Sequence, residues 1–261
     1  MDKNKRDVAR LLDAGAELFY VDHHLAGEIP VHPHLKAIID TDSGVCTSLL
    51  VDQYLKGRFR SWALTAAFGD NLVKVAETIG QQSGLPSEQL QQLHLLGTCL
   101  NYNGYGETVA DLHVAPDSLF CSLLAYPNPV DFISDPDSCY QRLYDGYRDD
   151  LAKAEVVKAD YVTDRVAVFI LPDAPWARRV SGVFGNALAN AHPQRAHAIV
   201  TVRTQGGYQV SVRAPANNKS GADVLCNQFP SGGGRRGAAG INQLPVDQYA
   251  EFVAAFEAQY Q

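Results

Sequence analysis

Residues 17–24 read ELFYVDHH, and the fold follows from how that stretch is parsed. Residues 17–21 are short, apolar and aromatic, as a buried parallel strand should be, and they run straight into Asp22, His23 and His24. In open α/β sheets, ligands collect beyond the carboxyl ends of parallel strands, so polar residues there are site candidates. Upstream, Val8, Leu11 and Leu12 share one face at helical spacing and Gly15 stands where a helix stops. Downstream, residues 37–40 (AIID) read as a second short strand, and Ser43 or Thr47 could cap the helix that carries Leu49, Leu50 and Leu55. The opening is therefore α/β with a parallel sheet, and it begins on a helix with no strand before it.

The text then turns helical. Residues 62–79 are broken by Gly69, Asp70 and Asn71, and Pro86, Ser87 and Glu88 start another helix. Short helices continue to about residue 133, and a polar helix from Asp135 and Pro136 to about residue 158 suits a connector between two bodies. Beyond residue 160 the order is strand, helix, strand, strand, helix, strand, helix. The strands are 166–171, 198–202 and 208–213, with a hairpin signal at Gln205, Gly206 and Gly207, and the helices at 177–191 and 246–259 are amphipathic. This part is α+β.

Length and composition set the outer limits. The chain has 261 residues, 46% of them hydrophobic and 20% charged, which gives room for one large domain or two small ones. No apolar run reaches the roughly 18 residues of a membrane helix and no signal-peptide pattern opens the chain, so a cytoplasmic location and no membrane partner are expected. Five cysteines with no C-x-x-C pair read as free buried thiols. A net charge of −7 argues against coating duplex DNA by bulk attraction, while leaving room for a local basic groove.

Two constellations carry chemistry. Asp22, His23 and His24 supply a carboxylate and two imidazoles at a strand mouth, and Asp70 is placed to project from a helix end into a cleft. Such ligands suit Mn²⁺, Zn²⁺ or Fe, and a carboxylate-rich site leans to Mn²⁺ or Mg²⁺; the alternative is a set of surface residues at a strand end. The second constellation is SGGGRRGAAG at residues 231–240. Gly232, Gly233 and Gly234 would present bare backbone N–H groups, and Arg235 and Arg236 would add charge-assisted bonds, so phosphate is the natural guest. Arg213 could converge on the same pocket; the alternative is a glycine-rich turn with solvated arginines. The tract is neither a dinucleotide fingerprint nor a P-loop.

FYVDHH, then Gly69-Asp70, then GGGRRGAAG after a strand ending in Arg213, in that order, resembles the DHH phosphoesterase superfamily in its DHH plus DHHA1 arrangement. That family includes RecJ-type exonucleases, nanoRNases and cyclic-dinucleotide phosphodiesterases. The resemblance implies a DHH-like domain over residues 1–135, a helical connector over 136–162 and a DHHA1-like domain over 163–261. It implies that His23 and Asp70 are metal ligands, that Asp22 orients His23, and that His24 donates to the phosphoryl oxygen or leaving group. Arg213 and the glycine tract would hold the substrate's far phosphate. Two Mn²⁺ ions would generate hydroxide and stabilise an in-line displacement on a short oligonucleotide or nucleotide phosphate ester. A homodimer is one expected assembly.

The chain departs from the family at two places. Arg235 stands where the family has His, which keeps the charge complement and removes a proton role. The family's first two aspartate motifs precede the helix that opens this sequence and have no counterpart in it, so an N-terminally truncated domain with weak or no activity is expected. The alternative is a non-catalytic module that binds nucleotide or single-stranded nucleic acid. His32 and His34 lie in a loop that could approach the site, and Asp40 and Asp42 are cleft candidates. Asp111 and His113 sit two apart on an expected helix without sharing a face. Tyr102, Tyr105, Tyr140, Tyr144 and Tyr147 read as packing residues, with base stacking as the function to test.

Overall fold

The structure, a computed structural model, describes Met1, residues 4–24 and residues 26–261. Its contacts divide into two compact units, Met1–Asn101 with Cys121–Tyr140, and Tyr102–Phe120 with Gln141–Gln261. It is a mixed α/β fold with a small parallel sheet in the first unit and a larger mixed sheet in the second.

In the first unit, α1 (Lys5–Asp13) buries Val8 and Leu12 and gives way to Gly15 at φ +81°, the left-handed conformation that a C-terminal glycine supplies. Strands β1 (Leu18–Asp22) and β2 (Leu35–Ile39) pair in parallel with Leu18 opposite Leu35 and Asp22 opposite Ile39. Leu18, Tyr20, Leu35, Ala37 and Ile39 pack against Val8 and Leu12, so the period-2 alternation of both strands points one face at α1. α2 (Thr47–Tyr54) follows. Neither Ser43 nor Thr47 caps it: the N-cap is Cys46, in extended backbone with no side-chain cap bond, and Thr47 is already helical.

α3 (Arg60–Gly69), α4 (Val73–Gln82) and α5 (Ser87–Tyr102) come next, followed by α6 (Pro116–Leu124) and α7 (Pro129–Ser134). Leu64, Phe68, Ala76, Leu90 and Leu93 form the helical core. Full burial of a leucine such as Leu64 or Leu93 contributes about 1.5–3 kcal/mol. α3 and α5 meet backbone to backbone: a Cβ on Gly97 would lie 2.0 Å from the Thr65 carbonyl oxygen, and one on Gly69 would lie 2.8 Å from the Gly97 carbonyl oxygen.

The polar segment expected as a connector is helical as α8 (Tyr140–Glu155), with Leu143, Asp150 and Ala154 buried. In the second unit, β3 (Tyr161–Val162), β4 (Val166–Leu171), α9 (Pro175–Ala191), β5 (Ala196–Val202), β6 (Tyr208–Arg213), α10 (Ala222–Cys226), β7 (Gly232–Arg235), β8 (Ala238–Leu244) and α11 (Tyr249–Gln259) follow in order. The sheet order is β3-β4-β5-β6-β8-β7, with only β4 and β5 parallel. Val166, Val168, Ala198, Val200, Val210 and Val212 face α10 and α11, including Phe252 and Phe256. Ile199 faces Val180 and Phe184 of α9 instead. Gly206 and Gly207, at φ +88° and +76°, turn β5 into β6 as their spacing predicts.

One expectation is corrected. The glycine-rich tract is a β-hairpin rather than an open glycine-rich turn: Gly232 pairs with Ile241, Gly233 with Gly240, Gly234 with Ala239 and Arg235 with Ala238. Packing explains the glycines. A Cβ on Gly232 would lie 1.7 Å from the Cys226 carbonyl oxygen, and Gly234 holds φ +145° with the Ala239 Cα 2.4 Å from where its Cβ would be.

Candidate active site

The end of β1 places Asp22, His23 and His24 together, with one possible ligand atom from each lying within 4.8 Å of the others; among the described residues this is the one such acid, imidazole or thiol group of three or more. Asp22 Oδ1 accepts the amide N–H of His23 at 2.8 Å, the amide N–H of His24 at 3.2 Å and the Nδ1–H of His24 at 2.8 Å. Its other oxygen accepts a long 3.4 Å bond from the Tyr20 hydroxyl. Burial pushes the Asp22 carboxyl up, but the His24 imidazole and the two amides outweigh it and hold the group at about 2.

Asp22 therefore orients His24, and not His23 as the resemblance implied. His23 takes its orientation from the carbonyl of Val45, 2.9 Å from Nδ1. A carbonyl only accepts, so Nδ1 carries the proton and Nε2 keeps its lone pair for a ligand. The His23 ring is nearly buried at 10% side-chain exposure, while His24 is 60% exposed and meets it edge to face at 4.3 Å.

Asp70 joins this corner, with Oδ2 at 3.7 Å from His23 Nδ1. Its position follows from the way α3 ends. Asp70 is the C-cap, Asn71 takes φ +61°, and the amides of Asn71 and Leu72 return to the carbonyls of Phe68 and Ala67. Asp70 also lines a cleft of about 330 Å³ between α3 and α5, walled by Trp62, Ala66, Leu100 and Leu123 and floored by Gly69 and Gly97. The Trp62 indole is pinned by an Nε1–H bond of 2.8 Å to the Tyr126 carbonyl.

In the second unit, Arg213 ends β6 opposite His197 of β5 and Ala238 of β8, and Ala238 in turn pairs with Arg235. Residues opposite one another share a face, so the two arginines project to the same side of the sheet. Arg213 donates to Asn186 Oδ1 at 2.6 Å, Ser211 Oγ at 2.9 Å, the Val212 carbonyl at 3.1 Å and the Gly182 carbonyl at 3.4 Å. All these partners are neutral. Burial pulls its pKa down, Tyr105 acts against that, and Arg235 adds to it. Gly185 and Gly182 of α9 make room: Arg213 Cγ lies 3.3 Å from a Cβ position on Gly185, and the Tyr105 ring lies 3.1–3.4 Å from one on Gly182. Arg236 stands in the β7–β8 turn, where its carbonyl accepts from the Ala222 amide.

Other candidates fall elsewhere. His32 and His34 are exposed and pair edge to face with each other at 5.4 Å. Asp40 and Asp42 form an exposed turn beyond β2, where Asp40 Oδ1 accepts the Asp42 amide and Asp42 Oδ1 the Gly44 amide. Asp111 ends a 3₁₀ turn, Val109–Asp111, and accepts two 3.0 Å bonds from Arg178. His113 bonds the buried Tyr102 hydroxyl at 2.8 Å. Tyr102 also bonds Asp150, which is 2% exposed and bound by Arg179 at 2.7 Å and Lys153 at 3.1 Å. Tyr147 packs edge to face on Tyr102, and Tyr140 on Phe132. Sequence reading missed this Arg179–Asp150–Tyr102 network; consecutive arginines opening an otherwise apolar helix at Arg178 and Arg179 are the signal that could have revealed it.

No family model and no curated protein matches the sequence. Solved structures do. Exonuclease RecJ bound to manganese is similar over 98% of this chain and 72% of its own, at 16% identity and a TM-score of 0.52. The pGpG-specific phosphodiesterase PggH from Vibrio cholerae is similar over 89% of this chain and 80% of its own, at 11% identity and a TM-score of 0.51. An exopolyphosphatase-related protein from Bacteroides fragilis aligns with 92% of this chain at 15% identity and a TM-score of 0.44, and the chain spans only 62% of its length.

Proposed function

We propose, starting from a chain that has the fold of the DHH phosphoesterase superfamily, that it is a phosphoesterase dependent on a divalent cation and acting on short oligonucleotides or small nucleotide phosphate esters. The observation that carries the reading is the corner at the end of β1, where Asp22, His23 and His24 each bring a possible ligand atom within 4.8 Å of the others and the Asp70 carboxylate stands beside the His23 ring. The DHH-like role falls to residues 1–135 and the DHHA1-like role to residues 163–261.

The donors fit one divalent cation. His23 offers a lone pair on Nε2, fixed by Val45, and Asp70 offers a carboxylate. Mn²⁺ is the favoured ion, and a second would need more carboxylates than this corner gathers, so turnover by this chain is expected to be slow. A bound divalent ion supplies activated water and neutralises charge on the phosphoryl group. Asp22 locks the His24 tautomer by taking Nδ1–H, which turns Nε2 to solvent; in the doubly protonated ring, Nε2–H is the donor for a phosphoryl oxygen or leaving group. Arg213 is a half-buried cation bonded to neutral groups, which supports it as the receptor for a second phosphate, with Arg235 on the same face.

Mn²⁺-dependent hydrolysis of a 5′-phosphorylated dinucleotide, followed with His23→Ala and Asp70→Ala, tests the reading. Both variants should abolish hydrolysis and weaken Mn²⁺ binding; turnover that neither variant reduces would overturn it. The uncompensated charge of Arg213 favours a second reading, a nucleotide-binding module without hydrolysis. That reading predicts dinucleotide binding that EDTA leaves intact and Arg213→Ala removes.

A further inference from the structure

We infer that the cleft between α3 and α5 is a nucleobase subsite, which makes a nucleotide rather than an inorganic polyphosphate the substrate of the proposed reaction. This rests on the reading of Asp70 as part of the metal corner.

The lining has the wrong chemistry for a polyanion. Trp62, Ala66, Leu100 and Leu123 wall the cleft, and among the described residues no lysine or arginine lines it and its one charged residue is the carboxylate of Asp70. A phosphate chain would lose its water there with no cation in return. A flat heterocycle has the opposite requirements: its faces need apolar walls and its edge needs a few placed hydrogen-bonding groups. The volume of about 330 Å³ lies at the small end of ligand pockets. Asn101 supplies an amide, able both to donate to and accept from a base edge. Thr65 does not compete for that role, because its hydroxyl donates to the Ser61 carbonyl at 2.8 Å.

The walls are already set. Trp62 is held by Tyr126, and the Gly69–Gly97 approach keeps the floor free of side chains. Asp70 stands both in the cleft and at the His23 corner. A base in the cleft therefore leaves its 5′- or 3′-phosphate at the metal corner.

The test needs no turnover. The chain has two tryptophans, so in a Trp176→Phe background Trp62 is the sole indole reporter. Adenosine and uridine, titrated in EDTA, should quench its fluorescence saturably, and tripolyphosphate should not. Ala66→Leu, on the exposed side of α3, fills the cleft without touching the core and should weaken nucleoside binding by about tenfold or more. Asn101→Ala should flatten the preference between the two nucleosides. Absence of saturable quenching, or quenching that Ala66→Leu leaves unchanged, would overturn the inference. Mn²⁺ titration of the same protein separates the failures: lost nucleoside binding with intact Mn²⁺ binding rejects the base subsite alone, whereas Mn²⁺ binding indifferent to His23→Ala rejects the metal corner.

Discussion

The Nδ1–H of His23 donates to the carbonyl of Val45 across 2.9 Å, and this bond decides which nitrogen of the ring is available to a metal. His23→Ala removes a ligand whose geometry the backbone has already fixed, so Mn²⁺ affinity should fall at least about tenfold. Isothermal titration in parallel with circular dichroism checks this: affinity drops while the spectrum stays that of the parent.

Arg213 is held by Asn186, Ser211 and two backbone carbonyls, with neutral partners throughout. A half-buried guanidinium without a compensating anion contributes little to folding or works against it. Arg213→Met should therefore leave the unfolding free energy unchanged or raise it by about 1 kcal/mol, while orthophosphate or dinucleotide binding falls by about tenfold or more. Urea unfolding and equilibrium dialysis on the same variant measure the two effects. A variant that is much less stable would instead make Arg213 a structural residue.

Asp111 ties the 3₁₀ turn to α9 through Arg178, and the guanidinium holds its carboxyl at about 2, below the ordinary value of 3.8, against the upward push of burial and with help from the amides of Glu107 and Thr108. A carboxylate lowered on folding stabilises at pH above its unfolded value and loses that contribution as pH falls through the folded one. Asp111→Asn should thus cost roughly 2 kcal/mol at neutral pH. The gap between variant and parent should close as pH falls from about 4 to about 2. Denaturant unfolding at three pH values across that window reads it.

Gly97→Ala should destabilise by roughly 2–3 kcal/mol, because its Cβ would meet the Thr65 carbonyl oxygen at 2.0 Å and backbone cannot step aside as a side chain can. Gly84→Ala is the control. At φ +77° with nothing within 4 Å it carries backbone strain alone, about 1 kcal/mol, and thermal unfolding should separate the two.

Local patterns were the legible part of this molecule. The apolar run into Asp22, His23 and His24 predicts β1 and its polar mouth, and Gly69-Asp70 predicts a helix end at the site, because both depend on residues adjacent in sequence. The partners were not legible. Val45 orients His23 across 22 residues, and Arg179 reaches Asp150 across 29 and Tyr102 across 77, distances at which one sequence carries no spacing signal. The cleft depends on two glycines on separate helices, each unremarkable alone. The conformation of the glycine tract was hidden for a related reason. Successive glycines permit an anion nest and equally permit close strand packing, and only Cys226 and Ala239, both outside the Gly232–Gly234 run, decide between them.

The strand order of the second unit has a consequence for how the chain acquires its structure. β8 is the last strand in sequence yet lies inside the sheet, between β6 and β7. β7 pairs with β8 alone, so its place in the sheet waits on β8, which also pairs with β6 in a register that slips between Tyr208 and Val210. Hairpin closure is a microsecond process, whereas assembly against distant strands is slower. Arg235 reaches the face that carries Arg213 only through Ala238, so the cationic face depends on both pairings of that one strand.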